Sequence, residues 1–222
     1  MKTFKKYYLL VAFIGLFVTN STSQNYRIQN SIGVYGGLTQ FNIDTDELTT
    51  ESGSGWLVGL AATVDLPHRW YNVSYNIQLA ENQFGVGASP ISAGQTQFVD
   101  YKVFTAQIAL IGHLKIIDKY LTIDAGPMLQ YNGDLDIQDE TKESYIIDGY
   151  NTATLNDLPE VSNFNINAAV GATLGFDSFK VRAQYIYGFL NSFKSINNQN
   201  LAESINLEGN QNMLVFSAMF LF

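Results

Sequence analysis

The chain has 222 residues, of which 14% are charged and 14% aromatic, with 13 Tyr, 15 Phe and no Cys. A surface that meets water on all sides carries about a quarter charged residues, so much of this one faces something else. The absence of Cys excludes disulfides and a lipid-modified cysteine anchor.

The first 23 residues read as an export signal. Lys2, Lys5 and Lys6 form a basic start, residues 7–18 an apolar run, and Ser21, Thr22 and Ser23 a stretch of small residues that places cleavage near Ser23. The run is shorter than the roughly 20 apolar residues of a transmembrane helix, and no later segment supplies one. Residues 24–222 are therefore expected to be one secreted domain that can enter a membrane only as strands. Without the three leader lysines, nine basic side chains face 20 acidic ones, a net charge near −11. That charge excludes nucleic acid as a partner, which would require a basic face.

Beyond the leader, alternation with a period of two marks eight strands. The first, about 31–41, is glycine-rich and sets Ile32, Val34 and Leu38 on one face. The second opposes Trp56, Val58, Leu60, Ala62 and Val64 to Leu57, Gly59, Ala61, Thr63 and Asp65. The third is the cleanest, with Tyr71, Val73, Tyr75, Ile77 and Leu79 against Asn72, Ser74, Asn76 and Gln78. The fourth sets Phe104, Ala106, Ile108 and Leu110 against Thr105, Gln107 and Ala109. The fifth opposes Leu121, Ile123, Ala125, Leu129 and Tyr131 to Thr122, Asp124, Gly126 and Gln130. The sixth alternates from Phe164 to Phe176, and the seventh sets Val181, Ala183, Tyr185 and Tyr187 against Lys180, Arg182, Gln184 and Gly188. The eighth, 212–222, is apolar on both faces and is placed by its position.

Short links fall at 67–69, 117–119 and 177–178, and long ones at 42–55, 85–101, 133–162 and 191–211. Short turns alternating with long loops, and strands of about 10 residues, predict a transmembrane eight-stranded antiparallel up-and-down β-barrel with both termini on the periplasmic side. A soluble barrel would show Lys and Glu on its polar face. Here that face is mainly Asn, Gln, Thr, Ser, Gly and Ala, which suits the narrow interior of eight strands. The apolar face then points to lipid. Aromatics at strand ends form the expected girdles: Trp56, Tyr131, Phe164 and Phe189 on the outer side, Tyr71, Phe176 and Phe179 on the inner.

With the export signal, the stretches LTIDAGP at 121–127 and QYIYG at 184–188, and the terminal Phe222, the chain resembles the outer-membrane β-barrel superfamily of Gram-negative bacteria that includes PorT-like and OmpX-like proteins. The resemblance covers the whole mature chain and implies residence in the outer membrane. It also implies that Phe222, with Phe220 and Phe216 at the same parity, acts as the signal read by the outer-membrane assembly machinery. A PorT-like member would take part in type IX protein secretion.

Candidate chemistry is sparse. Enzymatic barrels of this kind use a catalytic His, and only His68, in a turn, and His113, inward-facing near the inner end of strand four, are present. Neither is placed to meet a lipid substrate. Asp124 and Arg182 project inward, with Asp65, Lys115 and Lys180 nearer the inner rim. These five form either a charged gate across a pore or an ion-pair plug, and the small bore favours the plug. Acidic residues gather at Asp44, Asp46, Glu47 and Glu51, and at Asp134, Asp136, Asp139, Glu140 and Glu143. The second group lacks the register of a Ca²⁺ loop and reads as a solvated tip, with bridging of divalent ions to lipid headgroups as the alternative. Gly33, Gly36 and Gly37 have no helix after them and mark close backbone approach rather than phosphate binding. No cofactor is expected. The first functional reading is a non-enzymatic outer-membrane barrel whose acidic loops serve surface interaction or envelope integrity, in contact with lipid and with a surface ligand. The alternatives are a secretion-accessory barrel working within a secretion complex and a narrow passive channel.

Overall fold

The computed structural model describes residues 28–91, 94–118, 120–158, 161–197 and 206–222. The leader expected at 1–23 lies outside them. Among the described residues no helix is long and apolar enough to cross a membrane.

Among the described residues nine strands form: β1 (Gln29–Asp44), β2 (Thr50–Asp65), β3 (Tyr71–Ser89), β4 (Gln97–Ile117), β5 (Leu121–Ile137), β6 (Ile146–Ile147), β7 (Phe164–Gly175), β8 (Phe179–Gly188) and β9 (Asn210–Leu221). A four-residue helix α1 (Lys194–Asn197) lies between β8 and β9. All strands but β6 form a ring in which each pairs antiparallel with its neighbours; β2 pairs with β3, and β1 pairs with β9 to close it. The fold is an eight-stranded up-and-down barrel. β6 is a two-residue addition to the tip of β3, through Ala88–Ile147 and Ser89–Ile146.

Alternation holds around the ring, and it assigns the faces. Ile32, Leu38, Leu60, Ile77, Ile108, Leu129, Val170 and Phe216 are exposed on the outside, while Asn76, Gln107, Asp124, Gln130, Asn167 and Arg182 are buried in the bore. This is the pattern of a barrel in lipid, where closure also satisfies every edge N–H and C=O. Trp70, Tyr120 and Phe220 join the inner aromatic girdle, with Trp70 edge-on to Tyr71, Tyr120 to Phe176, and Phe179 tilted against Phe220. The bore is not filled by polar residues alone. Leu57, Ile111, Met128, Ile186, Met213, Val215 and Met219 are also buried there.

The outer half departs from the sequence expectation. The loops expected at 42–55 and 85–101 are mostly strand: β1 runs to Asp44 and β2 starts at Thr50, while β3 and β4 have 19 and 21 residues. The reason lies in the environment. Above Phe104 the outward residues of β4 become Lys102 and Asp100, and the inward ones become Val103, Tyr101 and Val99. On β3 the same switch passes from Leu79 to Glu81 and Gln83 outside, and from Gln78 to Phe84, Val86 and Ala88 inside. Polarity inverts along a single strand because the solvent outside changes from hydrocarbon to water. Lys102 and Glu81 pair across the two strands at 3.7 Å, at the level of that change.

Candidate functional site

Three layers occupy the interior. The lowest is built on Asp124 of β5, whose side chain is fully buried. One carboxylate oxygen, Oδ1, accepts hydrogen bonds from Thr122 Oγ1 (2.7 Å) and meets His113 Nδ1 at 2.6 Å. The other, Oδ2, accepts from Thr173 Oγ1 and lies 3.7 Å from Arg182 Nε, which donates to Thr173 Oγ1 at 3.0 Å. Strand pairing places these groups side by side, since His113 faces Asp124 in the β4–β5 register, Asp124 faces Gly171, and Thr173 faces Arg182. Glycine at 171 leaves room for the Ala183 carbonyl and for Gln184 of β8, which a Cβ there would meet.

Of the five charges singled out in the sequence, Asp124 and Arg182 meet in this layer. Asp65 and Lys115 form a second pair at 2.8 Å nearer the mouth, with Lys115 also donating to the Leu66 carbonyl at 3.3 Å. Lys180 takes part in none of the ion pairs among the described residues. His113 is the member that the sequence did not bring in. Its distance from Asp124 along the chain hid a pairing that only the hairpin register creates. Phe222 follows β9 at the seam, where its N–H and carbonyl bond to Ile32 of β1 at 2.8 and 3.3 Å.

The layer also contains a Ser–His–carboxylate relay. Ser74 Oγ lies 2.7 Å from His113 Nε2, and Asn76 Nδ2 donates to the same Oγ at 2.9 Å. With the Nδ1 proton of His113 directed at Asp124, Nε2 accepts the Ser74 hydroxyl proton, while the buried Asn76 Oδ1 has no partner among the described residues. The three groups have the connectivity of a hydrolytic triad. Acyl transfer also needs a carbonyl against the nucleophile and free donors for its oxyanion. Ser74 is fully buried, and the nearest cavity, about 20 Å³, touches His113 but not Ser74. The flanking backbone groups belong to paired strands. The relay is a closed hydrogen-bond network.

The middle layer is made of amides. Tyr35 donates to Gln78 (2.8 Å), Gln78 to Gln107, Gln107 to Gln130 (2.5 Å), and Gln130 to Gln211 (2.9 Å) and Asn132 (2.5 Å). Asn167 donates back to Gln130 at 2.7 Å. This chain runs from β1 across β3, β4 and β5 to β9, so it crosses the bore. Gly59 makes room for it. A Cβ there would lie 2.5 Å from the Tyr35 ring, and the ring could no longer reach Gln78.

The top layer is apolar. The described residues of the long links expected at 133–162 and 191–211 fold back over the outer mouth and bury Ile147, Leu155, Leu158, Val161, Phe193, Ile196 and Leu207 against Phe84, Val86, Val99 and Tyr101. Phe84 stacks on Tyr101 with ring centres 5.8 Å apart, and Tyr101 donates to the Leu155 carbonyl at 2.7 Å. Burial, with the carboxylates of Glu143 and Asp157 nearby, pushes the Tyr101 phenol well above its usual range. Asn197 clamps Leu207 through both its amide atoms, each at 2.8 Å. The apolar residues of these loops were the signal in the sequence for such a cap, and the acidic ones drew attention from them.

The acids themselves stay outside. Asp44, Asp46, Glu47, Asp134, Asp136, Glu140 and Glu208 are exposed on the outer rim. A hydrogen bond from Thr141 and the neighbouring Lys142, 3.2 Å away, hold the Asp139 carboxyl below its usual range, and Thr45 does the same for Glu47. Among the described residues no group of three or more acidic or His side chains is arranged to hold a metal ion.

No protein-family model and no curated protein matches the chain. Among solved structures it is similar to the Neisserial surface protein NspA, at 9% identity and a TM-score of 0.46, over 88% of this chain and 99% of that one. It is also similar to Ail, the attachment invasion locus protein of Yersinia pestis in complex with the heparin analogue sucrose octasulfate, at 9% identity and a TM-score of 0.49, over 87% and 99%. A third likeness, to the translocator domain of the autotransporter NalP from Neisseria meningitidis, has 9% identity and a TM-score of 0.31. At these values the barrel assignment stands on the strand register of this chain.

Proposed function

We propose that the protein is a non-enzymatic outer-membrane barrel that holds a rigid acidic platform at the cell surface for surface interaction or envelope integrity. The observation that carries this reading is the closed interior. Charge layer, amide layer and apolar cap succeed one another along the bore, so the barrel serves as a support rather than a conduit. The five inward charges act as a plug, with Asp124 as its hub. The short turns and both termini face the periplasm, which puts the acidic rim outside, where it would meet a cationic ligand or divalent ions bound to lipopolysaccharide.

The test has two arms. In planar bilayers the purified protein gives no discrete conductance steps; regular steps would overturn the closed interior. In a deletion strain, wild type restores whatever adhesion or detergent resistance was lost, whereas a chain with Asp134→Asn, Asp136→Asn and Glu140→Gln does not, although labelling shows equal display. Equal restoration by both chains would overturn the platform.

The secretion-accessory reading is supported by the PorT-like resemblance of 121–127 and 184–188 alone. The inward members of those stretches, Thr122, Asp124 and Gln184, are buried in the bore, where they would serve any barrel. Continued export of type IX cargo by the deletion strain would dispose of it.

A further inference from the structure

We draw no further inference here: the strongest candidate, the apolar trough of about 540 Å³ that crosses the lipid face of β7, β8, β9 and β1 over Ala172, Ala183, Ala218 and Gly36, lies in the hydrocarbon belt, and nothing in the structure shows what covers it.

Discussion

Replacing Asp124 by Asn tests whether the charge layer holds the barrel together. The carboxylate serves four neighbours: Thr122 at 2.7 Å, His113 at 2.6 Å, Thr173, and Arg182 at 3.7 Å. Asparagine keeps one acceptor oxygen and turns the other into a donor. If the new amide NH₂ faces Thr173 and Arg182, it sets donor against donor; if it faces His113 and Thr122, it loses the acceptor that both of them use. Either orientation leaves the buried guanidinium of Arg182 without a counter-charge. Removing one partner of a buried ion pair costs about 3–5 kcal/mol, and retention of one oxygen puts the expected loss at the lower end, about 3 kcal/mol. The assay is reversible urea unfolding of the barrel in lipid vesicles, read by fluorescence of Trp56 and Trp70 and by gel mobility. The double variant Asp124→Asn, Arg182→Gln should recover about 1 kcal/mol or more relative to the sum of the single changes, because they share a partner. A loss under about 1 kcal/mol for Asp124→Asn, or strict additivity, would show that water rather than the protein solvates this layer.

Other expectations follow from the polarity switch and from the cap. Ile108→Arg, on the lipid face near mid-barrel, should cost about 2–4 kcal/mol in the same assay, whereas Asp100→Arg, at the same parity on the same strand, should cost less than about 1 kcal/mol; similar costs would misplace the boundary at Phe104. The Tyr101 phenol is held in its neutral form by burial, so its folded value lies above the unfolded one of 10.0. The resulting stabilisation is complete below pH 10 and is lost as pH rises above it. Proteolysis of 138–163 should therefore accelerate above pH 10 in the wild type, and Tyr101→Phe should abolish that dependence. An unchanged pH profile in the variant would remove Tyr101 from the cap's control.

The sequence made the membrane half of the barrel legible because hydrocarbon imposes one rule on every strand. Residues 71–79 alternate so cleanly that strand and face follow from them alone. The outer half was not legible by that rule. Residues 50–55, Thr-Glu-Ser-Gly-Ser-Gly, carry turn chemistry and no apolar stripe, yet they pair with β1 and β3, since a hairpin in water needs only its ladder and one covered face. The ion pairs were half legible. Inward parity identified Asp124, Arg182, Asp65 and Lys115 as residents of the bore, but partners are set by register. His113 is opposite Asp124 only through the β4–β5 register, and a slip of one residue would separate them.

The polarity switch bears on how such a chain avoids collapse before it reaches the membrane. Residues 71–79 and 104–110 expose a greasy face only in lipid, and in water that face would seek any apolar partner. Apolar partners lie within the chain itself, among them Phe84, Val86, Val99 and Tyr101, which continue the same two strands at the opposite parity. A single β3–β4 sheet therefore presents apolar faces on opposite sides of its two halves and cannot bury both against one surface. The outer half can be covered by water-soluble loops from the same chain, while the membrane half cannot be. Folding of the cap thus does not satisfy the strands that must enter lipid, and insertion remains the only way to cover them.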